Sequence, residues 1–126
     1  MSAEIASIGQ IAITVQDVAR AVAFYRDVVG LRFLFEVGGM AFFDCGGIRL
    51  MLTRPEGSGS THSSIVYYKT GDIEGAAAGM KAKGAQFEAD PHMIAKMPDH
   101  DLWMAFLRDT EGNLLALMSE VTRTSE

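Results

Sequence analysis

Apolar positions recur at helical spacing in two stretches of the chain. In "DVARAVAFYRDVVG", residues 17–30, Val18, Ala21, Val22, Tyr25 and Val29 fall on one side. In "DIEGAAAGMKAKG", residues 72–84, Ile73, Ala76, Ala77 and Met80 do the same. Each stretch opens on an aspartate able to cap free N–H groups of the first turn and closes on a glycine: Asp17 and Gly30, then Asp72 and Gly84. Gly75 and Gly79 each weaken the second helix by roughly 1 kcal/mol relative to alanine. Their small size would let it lie close on a sheet.

The rest of the pattern is extended. "QIAITV" precedes the first helix and "SIVYYKT" the second. Three further runs follow each helix: "LRFLFEV", "MAFFDC" and "IRLMLT", then "FEAD–HMIAKM", "LWMAFLR" and "NLLALMS". Glycine pairs at 38–39 and 46–47, "PDHD" at 98–101 and "DTEGN" at 109–113 supply the turns. Only "RPEGSGSTHSS", residues 54–64, has the composition of a flexible linker. The order strand–helix–three strands therefore occurs twice, with the capping aspartates offset by about 55 residues. These elements make an α+β chain of one domain, residues 1–126, with module one at about 8–54, the linker at 54–64 and module two at about 64–120.

Composition narrows the function. The 126 residues suffice for one domain with a real core, and 48% apolar with 21% charged residues is the balance of a folded chain. A net charge of −5 removes the basic footprint that nucleic acid requires. No apolar run reaches the roughly 20 residues of a membrane span. "MSAEIASIGQ" lacks the basic start and apolar core of a signal peptide. Cys45 is alone, so no intrachain disulfide forms, and a cytoplasmic location is expected. Eight methionines suit either a forgiving core or a pliable apolar pocket.

The βαβββ–βαβββ order, with "DVARAVAFYRDVVGL" and "WMAFLRDTEGN", resembles the vicinal oxygen chelate superfamily over roughly residues 8 to 120. That group includes glyoxalase I, methylmalonyl-CoA epimerase, extradiol dioxygenases, fosfomycin-resistance transferases and bleomycin-resistance proteins. The resemblance implies two modules whose mixed sheets curl around a cavity, often completed by a homodimer. It also implies a divalent ion held by four side chains. Here those four positions fall on Gln10, on Met51, on Ile65 (or Ser64 with a slip of one) and on Ala116, with Glu120 further along the last strand. One amide would not compete with an ion's own hydration shell, and a thioether suits the family's harder ions poorly. The expectation is therefore no metal and no other cofactor.

Strand alternation sorts the cavity face. If Gln10 points inward, so do Ala12 and Thr14; the corresponding sets are Arg49, Met51 and Thr53, then Ile65, Tyr67 and Lys69, then Leu114, Ala116 and Met118. This is an apolar lining with a few polar groups, the usual make-up of a small-molecule pocket. Gln10, Arg49, Met51, Tyr67, Ala116 and Met118 are its candidate ligand-binding residues. Arg49 is suited to a carboxylate or phosphate. Trp103 reads as core or dimer interface rather than a stacking platform.

The histidines differ in kind. His62 lies in the linker. His100 stands between Asp99 and Asp101 at a turn tip, where a charged, exposed imidazole is expected. His92 opens the alternating run "HMIAKM" and should share a face with Ile94 and Lys96. On the cavity face it would be the best general base, with Tyr67 as a second catalytic candidate. The leading expectation is a small-molecule binding protein of the bleomycin-resistance type, with a partly apolar, aromatic or anionic ligand. A metal-independent isomerase, lyase or hydrolase-like enzyme using His92 is the alternative. A glyoxalase- or dioxygenase-type metalloenzyme requires a different ligand register, and a scaffold with a collapsed cavity is the blandest possibility.

Overall fold

Asp17 and Asp72 cap helices in the computed structural model, which describes residues 5–55 and 64–122. The Asp17 Oδ1 accepts from the Arg20 N–H at 3.0 Å, and the Asp72 Oδ1 from the Gly75 N–H at 3.0 Å. The helices are α1, Val18–Ala23, and α2, Ile73–Ala82. Gly30 and Gly84 follow in left-handed conformation, with φ of 88° and 98°, which an L side chain rarely adopts. The first helix is not α-helical throughout. From Phe24 to Val29 it widens into a π-helical segment, closed by the Gly30 N–H on the Tyr25 carbonyl at 3.1 Å. The wider turn lets the adjacent Phe24 and Tyr25 both bury, edge to face at 5.4 Å.

The chain divides into two compact units between residues 63 and 64. Unit one holds β1 (Gln10–Thr14), β2 (Arg32–Val37), β3 (Met40–Cys45) and β4 (Ile48–Thr53), ordered β1-β4-β3-β2. Unit two holds β5 (Val66–Lys69), β6 (Gln86–Lys96), β7 (His100–Arg108) and β8 (Leu114–Thr122), ordered β5-β8-β7-β6. In each sheet the first strand pairs in parallel with the last and the remaining pairs are antiparallel. This is the tandem βαβββ arrangement, α+β in class, with two open mixed sheets. Most of the 54–64 linker, and His62 with it, lies outside the described residues. Among the described residues no helix is long and apolar enough to cross a membrane.

One face of each sheet carries the helix and the core. In unit one, Ile13, Leu50, Leu52, Ala41 and Phe43 are buried, as are Val18, Ala21, Val22 and Tyr25, and α1 meets β3 and β4. In unit two, Leu107, Leu115 and Leu117 are buried, as are Ile73, Ala77 and Met80, and α2 meets β6, β7 and β8. Gly75 and Gly79 do not provide close packing, contrary to the expectation from sequence: both are exposed. A Cβ at Gly75 would collide with the capping Asp72 carboxylate, whereas one at Gly79 meets nothing within 4 Å. Gly79→Ala should therefore raise stability by about 1 kcal/mol in urea denaturation. Gly75→Ala should gain less or lose, because it disturbs the cap.

The longest strand is also the least regular. β6 is an edge strand, and its register against β7 shifts between Phe87 and Ala89, between Ala89 and His92, and between Met93 and Ala95. Each shift is a bulge of one extra residue, and Pro91, which has no N–H to give, sits within the second. The β6–β7 hairpin closes with the Met97 N–H on the His100 carbonyl at 2.8 Å.

Candidate functional site

The face of each sheet turned away from its helix carries the candidate residues. In unit one, Gln10 pairs with Arg49, Ala12 with Met51 and Thr14 with Thr53. Directly paired residues project to the same side, so Gln10, Arg49 and Met51 share the open face. The register continues it across the sheet: Arg49 to Asp44 to Arg32 in one row, Met51 to Phe42 to Phe35 in the next. The Gln10 Nε2 donates to the Met51 Sδ at 3.7 Å. The Arg49 guanidinium lies 5.9 Å from the centre of the Phe42 ring, and Phe42 stacks on Phe35 at 4.8 Å with 30° between the planes. Phe35 is 46% exposed, a large aromatic surface left uncovered on an edge strand.

In unit two, Tyr67 pairs with Ala116 and Lys69 with Met118; Ala116 in turn faces Phe106, and Met118 faces Met104. Ala116 is fully buried. The Tyr67 and Phe106 rings on either side of it meet edge to face at 6.2 Å, so Ala116 serves as floor beneath them. Lys69 Nζ pairs with Glu120 Oε1 at 3.1 Å on the same face. His92 pairs with Met104, which places it in the row of Met118 and Lys69, on the face that also bears Tyr67.

His92 does not share that face with Lys96. The bulge at Met93–Ala95 interrupts the alternation, so Ala95 faces Leu102 and Lys96 pairs with Asp101 on the other side. The His92 Nδ1 lies 2.7 Å from the Asp90 carbonyl. A carbonyl only accepts, so Nδ1 is the donor in this contact and Nε2 is the ring nitrogen left to meet a substrate. His100 is half-buried, not exposed, with its Nδ1 2.7 Å from Asp99 Oδ1. Trp103 is half-buried on the helix face, paired with Ser119 and Met93, and lines a pocket with Asp72, Ile73 and Ser119. Burial, and then the Asp44 carboxylate, push the Cys45 thiol above its ordinary value, which disfavours a nucleophilic thiolate.

The four positions implied for a metal do not fit one. Ile65 and Ala116 have no donor atom, Met51 offers a thioether that already receives the Gln10 amide N–H, and Arg49 stands beside Gln10. A divalent ion at Gln10 would face the positive charge of Arg49. Among the described residues no group of three or more His, Cys, Asp or Glu side chains is placed to hold an ion.

Phe35, Phe42, Met104 and Phe106 were not among the sequence candidates. Phe106 and Met104 were findable, since β7 alternates without a bulge against β8. Phe35 and Phe42 were not, because the bulge at Leu34 moves Phe35 onto the open face and "FF" at 42–43 gives no sign of which ring faces inward.

A family model described as the Glyoxalase/Bleomycin resistance protein/Dioxygenase superfamily matches residues 7–117. Solved structures of the same fold include a lactoylglutathione lyase from Agrobacterium tumefaciens, at 21% identity and TM-score 0.74 over 92% of this chain and 95% of that one. Another is an antibiotic binding protein from Streptomyces sp. CB03234, at 19% identity and TM-score 0.76 over 94% and 99%. A third is an integron cassette protein from V. cholerae, at 17% identity and TM-score 0.76 over 94% and 98%. At these identities the likeness shows the fold alone. None of the curated proteins matches.

Proposed function

The chain belongs to the glyoxalase/bleomycin resistance protein/dioxygenase superfamily, and we propose that within it this protein binds a small, partly apolar or anionic molecule without a metal. The observation that carries this reading is the Gln10–Met51 contact beside Arg49. It occupies two of the implied metal positions with an amide, a thioether and an adjacent cation, while the next row across the sheet, Met51, Phe42 and Phe35, is apolar. The antibiotic-binding neighbour has the same fold, which makes a binding role compatible with the scaffold. The candidate binding residues are Gln10, Arg49 and Met51 on the open face of unit one, and Tyr67 and Met118 on that of unit two, where the buried Ala116 supports the Tyr67 ring. The protein works as a homodimer, and its lone Cys45 suits the cytoplasm.

Metal analysis and ligand binding test this together. Protein purified without chelator should carry well under one equivalent of divalent metal, and its affinity for a bound compound should not change after EDTA treatment. One equivalent of tightly held Ni, Zn, Fe or Mn, or binding abolished by EDTA, overturns the proposal.

The Asp90–His92 hydrogen bond favours a second reading, a metal-independent isomerase or lyase. In that reading Nε2 of His92 takes a proton from a substrate lying on the Tyr67–Met118 face. NMR of the compound recovered after incubation decides it. A chemical change lost in His92→Gln supports catalysis, and an unchanged compound leaves a binder.

A further inference from the structure

Two donors on the open face of unit one are held together with no strong acceptor. Gln10 and Arg49 are register partners on adjacent parallel strands, about 4.8 Å apart. The Gln10 amide N–H is directed at a thioether sulfur, a weak acceptor that a carboxylate oxygen would displace. Arg49 enters no ion pair among the described residues, although Asp44 is its register partner on β3. Its guanidinium lies over Phe42 instead, 5.9 Å from the ring centre. Beyond Arg49 the next row is apolar: Phe42 is buried, and Phe35 on β2 stacks on it and is 46% exposed. β4 to β2 is two strand spacings, about 10 Å, comparable to a two-ring arene carrying one carboxylate.

We propose that this face recognises a small aromatic carboxylate, with its oxygens accepting from the Arg49 guanidinium and the Gln10 amide and its rings lying on the exposed Phe35 shelf, which the buried Phe42 backs. The proposal rests on the reading that the protein is a small-molecule binder, and it names the ligand class. A cation would be repelled by Arg49. A neutral arene would gain the shelf but leave both donors unsatisfied, and desolvated donors without acceptors weaken binding.

Titration calorimetry with 2-naphthoate and its neutral analogue 2-naphthylmethanol tests the assignment. The wild-type protein should bind the acid at least about tenfold more tightly than the alcohol, as a charge-assisted, forked contact implies. Added salt should weaken the acid alone. Arg49→Gln should remove most of the preference while leaving the alcohol within about twofold. Arg49→Lys, which keeps the charge and loses the fork, should fall between. Arg49 is exposed, so an unchanged melting temperature in both variants confirms that folding is intact. Equal affinity for acid and alcohol, a preference that survives Arg49→Gln, or no binding of either overturns the clamp. Equal affinity for both, unaffected by EDTA, would remove the clamp and leave the metal-free binder standing. A stoichiometric, tightly held metal would instead remove the underlying reading.

Discussion

Replacing Phe43 by alanine is expected to destabilise unit one by roughly 3–5 kcal/mol, the range for deleting a ring from a core that cannot close up. Phe43 has no exposed surface. Its ring meets Phe33 at 5.5 Å, nearly perpendicular, and Tyr25 at 6.3 Å, and Tyr25 meets Phe24. Collapse into the space is blocked on both sides. β3 is held between β2 and β4, and the π-helical segment is fixed where Gly30 ends it. With total stabilities of about 5–15 kcal/mol for domains of this size, such a loss is a large fraction of the whole. Urea denaturation should show a lower midpoint with an unchanged slope. Phe43→Leu, which refills most of the volume, should lose no more than about 1.5 kcal/mol. Phe35→Ala, on the exposed side of the same sheet, should lose less than Phe43→Ala and instead weaken ligand binding. A loss below about 1 kcal/mol in Phe43→Ala would mean that this cluster is not the core.

Those two phenylalanines also mark where the sequence stops being legible. The elements, their order, both capping aspartates and both terminal glycines follow from periodicity and turn chemistry, because each leaves a local signal. Parity likewise puts Gln10, Arg49 and Met51 on one face of their sheet and Tyr67, Ala116 and Met118 on one face of theirs, since β1 pairs with β4, and β5 with β8, without a bulge. On β2 and β6 the same rule fails. A single inserted residue flips every later side chain, and nothing in "RFLFEV" or "HMIAKM" announces the insertion. His92 still reaches the candidate face, but Lys96 does not.

Burial was the other blind spot. Alternation says that Ala116 points away from the helix; it does not say that Tyr67 and Phe106 roof it over. The π-helical turn is hidden for a related reason. It accompanies the burial of two adjacent aromatic rings, Phe24 and Tyr25, in a stretch that reads as ordinary α-helix. Identification of the ligand-bearing surface therefore depends on side chains meeting across strands, while the fold depends on patterns within them.

The turn between β7 and β8 shows a local signal with a large energetic consequence. Asp109→Ala is expected to destabilise unit two by roughly 2–4 kcal/mol, because one buried carboxylate satisfies three donors. Its Oδ1 accepts from the Glu111 and Asn113 N–H groups, each at 2.8 Å, and its Oδ2 from the Asn113 Nδ2 at 3.0 Å. Asp109 is only 6% exposed, so alanine would leave these donors without their acceptor where water reaches them poorly. The turn then lets Arg108 reach back, donating to the Gly112 carbonyl at 2.9 Å and to Glu88 Oε2 on β6 at 2.7 Å. That hydrogen bond holds the Glu88 carboxyl below its ordinary value. Asp109→Asn keeps an oxygen for the two backbone donors, and the Asn113 amide can turn over to accept from the new one. It should lose about 1 kcal/mol. Gly112→Ala provides an independent strain test, because φ there is 83° and alanine would be forced into the left-handed region. If the turn organises the sheet, urea midpoints should fall in the order wild type, Asp109→Asn, Asp109→Ala. Equal midpoints for wild type and Asp109→Ala would show that β7 and β8 hold their register without it.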